Sequence, residues 1–331
     1  MIKFNEAETA ENYTFSLGLR ERINEVIDGV MKQGAEKLCL LGIGGTYASC
    51  LMTAVHMKEF SSAECIVENA AEYNATGNKR VDGRTLAIIA SVSGNTPEVI
   101  VSVDKLHEAG AKVLGFISKA DSDLGKKVDY LIEGDGNEQL KFLMAADRWM
   151  FNRGEYADYA DFYDELDAHL ADDLVDVERD ADAFAADFAV KHMDDPIHYY
   201  IGAGNQWGAV YSYGMCYMEE MHWKRTKTIT AADFFHGTLE VIDRDTPVTL
   251  FLGEDSQRPL AERVKAFLPK ICANVTCIDT KDYELPGIDE KYRGHISFLV
   301  SHAVTNRIDA NLEYADRHPM EIRRYYRRLQ Y

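Results

Sequence analysis

The chain has 331 residues, of which 46% are hydrophobic, 11% aromatic and 27% charged, the composition of a globular protein long enough for two domains of roughly 150 residues each. Its formal net charge of -19 repels a phosphodiester backbone, which excludes nucleic acid as an expected partner. The same field repels a small anion at long range, so any phosphate must be held by local amides and hydroxyls. No run of 18 apolar residues occurs, and the start MIKFNEAETAENY is acidic where a secretory leader needs basic residues and an apolar stretch. Cysteines 39, 50, 65, 216, 272 and 277 form no CxxC pair and no Cys/His cluster at metal-ligand spacing. The expectation is a cytoplasmic protein with reduced thiols, no membrane contact, no metal and no cofactor.

Along the chain, Leu17, Ile23, Val26, Ile27 and Val30 recur near the helical period, predicting helix over residues 6–33. Short apolar runs then alternate with helical stretches: KLCLLGIGG from Lys37, ECIVENAAEY from Glu64, TLAIIASVSG from Thr85, AKVLGFIS from Ala111 and VDYLIEGD from Val128. Strands without polar alternation between amphipathic helices predict a parallel sheet covered on both faces. From about Phe142 to Asp195 the pattern is helical and acidic, without Pro or Gly between Asp158 and Lys191, and reads as helices with a solvated face. A second α/β series follows with PIHYYIGAG from Pro196, TKTITAADF from Thr226, TPVTLFLGE from Thr246, NVTCIDTK from Asn274 and HISFLVSHAV from His295. Both series open on a strand ending in glycines, LLGIGG and YIGAGN, which points to duplication of one unit. The expected organisation is a helical segment 1–34, an α/β domain 35–150, an acidic helical connector 151–193, and a second α/β domain 194–331 whose C-terminal tail covers the site.

Two loops carry ligand chemistry. Gly42, Gly44, Gly45 and Thr46 sit at a strand's C-terminal end, where open α/β sheets bind ligands. A dinucleotide turn fails because its third glycine would fall at Tyr47, and a P-loop fails because no GK[ST] follows. In SVSGNTPEV, Ser91, Ser93, Gly94, Asn95 and Thr96 lie between a strand and a helix whose cap is Asn95 or Thr96 and whose first residue is Pro97. Hydroxyls around a helix N-terminus suit an anion.

These loops resemble those of the sugar isomerase (SIS) family, which includes fructosamine-6-phosphate deglycases and the isomerase half of glucosamine-6-phosphate synthase. The family's phosphate loop, S-x-S-G-x-T, is matched by Ser91, Ser93, Gly94 and Thr96, and its first glycine loop by Gly44, Gly45 and Thr46. In the second half, YGMCYMEEMHWKRTKTITAADFFHGTLEVI is similar to the segment in which a catalytic glutamate precedes an H-G-x-L-x-x-I motif. The resemblance places the base at Glu220, sixteen residues before His236; composition alone leaves Glu219 and Glu220 undecided.

The resemblance implies two tandem doubly wound SIS domains of flavodoxin-like type. It also implies a deglycase that cleaves a fructose-amino-acid (Amadori) 6-phosphate, with Glu220 as base and His236 opening the sugar ring. An amino-sugar-phosphate deaminase or an aldose-ketose isomerase is the alternative, and a non-catalytic sugar-phosphate-binding regulator the second. A DNA-binding regulator fits poorly, since only about 35 residues precede the first strand of an acidic chain. Two departures stand out: Met218 and Tyr217 lie where the amidotransferase has a lysine nearby, and its C-terminal lysine is matched by Arg328, a possible lid residue that does not release a proton. Lacking a glutaminase segment, the chain is not expected to make amino sugars from glutamine. The expected partners are a phosphorylated sugar-amine substrate and a second copy of the chain, in a homodimer or higher oligomer sharing Glu220 and His236 between chains. Lys224, Arg225, Lys227 and the C-terminal arginines are candidate contacts for the amine's carboxylate.

Overall fold

The computed structural model describes residues 1–330. The chain divides into an N-terminal unit, Ala10–Ala171, and a C-terminal unit made of residues 1–9 and the chain from Asp172 onward.

The N-terminal unit takes α1 (Glu6–Gly18) from Ala10 onward and continues with α2 (Arg20–Lys32), β1 (Lys37–Gly42), α3 (Gly45–Phe60), β2 (Cys65–Asn69), α4 (Ala70–Thr76), β3 (Thr85–Ser91), α5 (Pro97–Glu108), β4 (Lys112–Ile117), α6 (Asp123–Lys127), β5 (Tyr130–Glu133), α7 (Glu138–Asn152) and α8 (Tyr159–Glu165). The single helix expected over 6–33 is two, broken where Gly18, a poor helix former, ends the first. The five strands pair in parallel in the order β2-β1-β3-β4-β5. Every residue of β1 and β3 is buried, which is why these runs show no polar alternation.

A π-helical turn, Leu166–Leu170, leads into α9 (Ala171–His192). The C-terminal unit continues with β6 (His198–Gly202), α10 (Asn205–Ser212), a π-helical turn Tyr213–Glu219, β7 (Thr226–Thr230), 3-10 turns Phe234–His236 and Thr238–Val241, β8 (Val248–Leu252), α11 (Arg258–Phe267), β9 (Val275–Asp279) and α12 (Glu290–Asp316). Its sheet is parallel, in the order β7-β6-β8-β9. The apolar run from His295, expected as a strand, lies inside α12, which Asp289 caps through Lys291 N–H. Ile296, Phe298, Leu299, Val300, Ala303 and Val304 are all buried, and a helix buried around its circumference has no polar stripe to distinguish it from a buried strand.

The two units repeat one design. Gly44 (φ 60°, ψ -129°) and Gly204 (φ 61°, ψ -134°) cap α3 and α10 with nearly the same left-handed backbone. Two residues earlier, a Cβ on Gly42 would stand 2.7 Å from Thr46 and one on Gly202 2.6 Å from Gln206, so each helix starts against a strand that only glycine allows.

Candidate functional site

In the N-terminal unit β1 and β3 are hydrogen-bonded neighbours, and their C-terminal ends carry the two loops singled out above. This is the topological switch point of such a sheet, where the chain runs to opposite faces and leaves a crevice. The helices α4, α6 and α7 are capped by their own side chains, Asn69, Ser122 and Asn137. Thr96 begins α5 and Gly44 begins α3 with no side-chain cap, so the first-turn amides that face the switch point have no acceptor from their own cap.

The serine loop is held in shape by its own hydroxyls. Gly94 N–H donates to Ser91 Oγ (3.0 Å), Ser91 and Thr96 hydroxyls lie 3.2 Å apart, and Asn95 N–H donates to Ser93 Oγ (3.3 Å). Asn95 Oδ1 accepts from Asp123 N–H (3.2 Å), tying the loop to α6. Gly94 is required twice over: its φ is 66°, and a Cβ there would stand 2.0 Å from Ser122 Oγ.

The Thr46 side chain is engaged within the unit. Its hydroxyl donates to Glu138 Oε2 (3.0 Å), and Ser49 donates to Oε1 (2.8 Å). Burial pushes the Glu138 carboxyl up, and these two hydroxyls pull it back. Glu138, on α7, is 92 residues from Thr46 in sequence, and no local pattern announces it.

The corresponding place in the C-terminal unit is filled by the protein itself. β6 and β8 form the switch point there, and the loop after β8 places Glu254 and Asp255 ahead of its single serine, Ser256. Asp255 Oδ2 accepts from Asn205 N–H (2.6 Å) at the start of α10, and Oδ1 accepts from Gln257 N–H (2.9 Å) just before α11. One carboxylate thus occupies the amides that the N-terminal unit leaves open.

Elsewhere in the C-terminal unit, Glu220 lines an open cleft of about 570 Å³ together with Glu219, Trp223 and the tail residues 323–326. The π-helical turn that leads to it is built by bonds reaching back five residues, as from Glu220 N–H to Met215 O (3.1 Å). The adjacent glutamates diverge. Glu219 Oε1 accepts from the Thr226 hydroxyl (2.6 Å), whereas Glu220 Oε1 accepts from Arg323 Nε (2.8 Å). Trp223 adopts φ 58°, an outlier for a bulky residue, and its ring is gripped by His318 (4.2 Å between centroids) and by the Arg324 guanidinium (4.4 Å).

The tail therefore reaches this cleft through Arg323 and Arg324. Arg328, matched by resemblance to a family lysine, is exposed and absent from the cleft lining; its N–H donates to Tyr325 O (2.9 Å). A one-turn chain reversal separates the two positions, which tail composition, RRYYRRLQY, could not resolve. His236 is exposed on the 3-10 turn Phe234–His236, just before Gly237 at φ 150°, and does not line the Glu220 cleft. The turn is anchored by buried Phe234 and by Phe235, whose ring lies under Arg263 (4.1 Å).

One cluster escaped the reading of cysteine and histidine spacing. His192, Asp195 and His198 bring three donor atoms within 4.8 Å of one another. The distances are those of hydrogen bonds: Asp195 Oδ2 lies 2.7 Å from His192 Nδ1 and 3.0 Å from His198 Nδ1, while the two Nε2 atoms face Thr276 (3.3 Å) and Thr249 (2.8 Å). Burial pulls His192 down to about 4 and lowers His198, and the two imidazoles hold the Asp195 carboxyl below its usual range. Neutral rings donating to one carboxylate and accepting from threonines account for these four distances.

Residues 33–144 match the SIS domain family model. The N-terminal unit is thus a SIS domain, and the C-terminal unit repeats its strand order and first glycine turn. Across the chain the fold is that of a Bacillus subtilis crystal structure described as a phosphosugar isomerase (TM-score 0.87, 23% identity, 98% of this chain and 100% of that one). The chain is 28% identical to the fructosamine deglycase FrlB of Bacillus subtilis over 285 residues, 83% of this chain and 86% of the relative. It is 22% identical to the fructoselysine 6-phosphate deglycase of Escherichia coli O157:H7, over 78% of this chain and 77% of the relative. No helix among the described residues is long and apolar enough to cross a membrane.

Proposed function

We propose that this protein is a deglycase that hydrolyses a fructose-amino-acid 6-phosphate to glucose 6-phosphate and a free amine. The observation that carries the reading is the similarity to a fructosamine deglycase over 83% of the chain, a stretch long enough to take in both the serine loop and Glu220. The phosphate is assigned to Ser91, Ser93, Gly94, Asn95 and Thr96, with the amides of Gly45 and Thr46 at the neighbouring helix start. A dianion gains most where amides and hydroxyls are already oriented toward it.

Glu220, with Oε1 fixed by Arg323 and Oε2 without a partner among the described residues, is assigned as the base. It removes a proton from C1 of the open-chain ketoamine to give an enaminol, and a proton returned at C2 gives the imine. Water adds to C1 of the imine, and the C–N bond breaks to release the amine and the aldose phosphate. His236 is assigned to ring opening. Its exposure outside the cleft supports a site in which a second copy of the chain supplies His236 to Glu220. The proton transfers invoke no metal.

The test is release of glucose 6-phosphate, in a coupled assay, from 6-phosphorylated fructose conjugates of several amines. Glucose 6-phosphate and amine appearing in equal amounts is the expected result. Interconversion of hexose phosphates without amine release would assign an isomerase instead, and ammonia release from an amino-sugar phosphate a deaminase.

A further inference from the structure

The cleft beside Glu220 is positively charged in a chain of net charge -19. Lys224, Arg225, Arg323 and Arg324 line it against Glu219 and Glu220 alone. Two of these cations are already engaged: Arg323 by Glu220 (2.8 Å), and Lys224 by Asp316 (3.1 Å) and the Met193 carbonyl (2.6 Å). Arg225 and Arg324 have no carboxylate partner among the described residues, although acidic side chains outnumber basic ones by 55 to 36 in the sequence.

Arg324 is also held in position. Its guanidinium lies over the Trp223 ring at 4.4 Å and 5.9 Å from that of Tyr325. Stacking occupies the face of the guanidinium and leaves its N–H edge for a planar oxygen pair, the geometry that suits a carboxylate. Trp223 keeps a strained φ of 58° to be there, with His318 against its ring and bonded through Nε2 to Met221 O (3.0 Å). The cleft thus offers two unneutralised guanidinium groups, one of them stacked, beside the assigned base.

We infer that the amine half of the substrate carries two carboxylates, so that the preferred amino acid released is a dicarboxylic one such as aspartate or glutamate. This rests on the deglycase reading and adds to it: Glu220 acts on C1, to which the amine nitrogen is attached, so the amino acid lies on the Glu220 side of the sugar and meets Arg225 and Arg324. A neutral amino acid leaves one guanidinium unpaired, and a plain alkylamine leaves both.

The experiment compares kcat/KM of the full-length protein for the 6-phosphorylated fructose conjugates of aspartate, asparagine and propylamine. Aspartate and asparagine are nearly isosteric, so that step reads charge alone. Each lost carboxylate is expected to lower kcat/KM by about tenfold or more, mainly through KM. In Arg225→Gln and Arg324→Gln the aspartate-to-asparagine ratio should contract by a similar factor. Equal kcat/KM for the three conjugates, or a preference for asparagine, overturns the inference and leaves the deglycase reading standing. A ratio unchanged in both variants overturns the assignment of these arginines. No amine release from any conjugate removes the deglycase reading and the inference with it.

Discussion

The two α/β units have the same strand order at their centres and the same first glycine turn, with Gly44 and Gly204 agreeing within about five degrees in both dihedrals. They differ in what meets the helix starts at the switch point. In the N-terminal unit, Ser91, Ser93 and Thr96 surround amides without an acceptor from the cap; in the C-terminal unit, Asp255 already accepts from Asn205 and Gln257. On the proposed function, a repeated fold carries two chemistries. An internal carboxylate stabilises a helix pair permanently, whereas neutral hydroxyls leave the same place open to an external anion. With its anion position filled, the C-terminal unit is left, on the proposed function, to carry its chemistry at Glu220, which follows the π-helical turn Tyr213–Glu219.

The largest expected effect tests that division. Glu220→Gln and His236→Asn should each lower kcat by about a hundred- to ten-thousand-fold, with phosphate inhibition retained. Refolded together in equal amounts, about half the dimers would be hybrids with one intact site, restoring about a quarter of wild-type activity if chains pair at random. Two variants that stay inactive after verified subunit exchange would place both groups in one chain or remove one from the chemistry.

Acidification should act through the C-terminal unit. His192 and His198 have folded values below the ordinary 6.5, so the unfolded chain binds more protons as pH falls. Their stabilisation is fully present above about 6.5 and is lost as pH falls from there toward 4, with His192 contributing on the order of 3 kcal/mol over that window. Asp195 adds a further loss below the ordinary carboxylate value. Thermal melting at pH 7 and 5 should show the drop, and His192→Asn should lessen it, with His302, which burial also pulls down to about 4, keeping a share; an equal slope in the variant would assign the acid sensitivity to other groups.

Ser93→Ala should weaken phosphate inhibition and raise KM by about tenfold or more, the equivalent of about 1.5 to 3 kcal/mol for one charge-assisted bond. Unchanged values would remove the serine loop from the phosphate site. The smallest effect is the contrasting one. Asp255→Ala strands two amides and should cost about 1 to 3 kcal/mol of stability, lowering the melting temperature by several degrees while leaving the phosphate inhibition constant as it was. A changed inhibition constant would mean the C-terminal switch point also holds substrate phosphate.

Much of this was written in local pattern. Fully buried β1 and β3 appear as unbroken apolar runs, and Pro97 after Thr96 marks a helix start, because burial on both faces and a fixed proline φ act through neighbouring residues. The same logic misread the run from His295: α12 is buried all round, so periodicity has nothing to report.

What the sequence determined by itself was the parallel α/β character, the two glycine turns and the serine loop, each set by residues within one turn or strand of one another. Only the tertiary structure decided that Glu138 anchors Thr46 from 92 residues away, and that Arg323 holds Glu220 from 103 residues away. It also decided that Asp255 closes the second switch point, and that His192, Asp195 and His198 share a carboxylate across a helix end and a strand start. The physical reason is common to these cases. A carboxylate or guanidinium takes its role from the partner that neutralises it, and that partner is brought by packing across elements whose separation along the chain carries no signal.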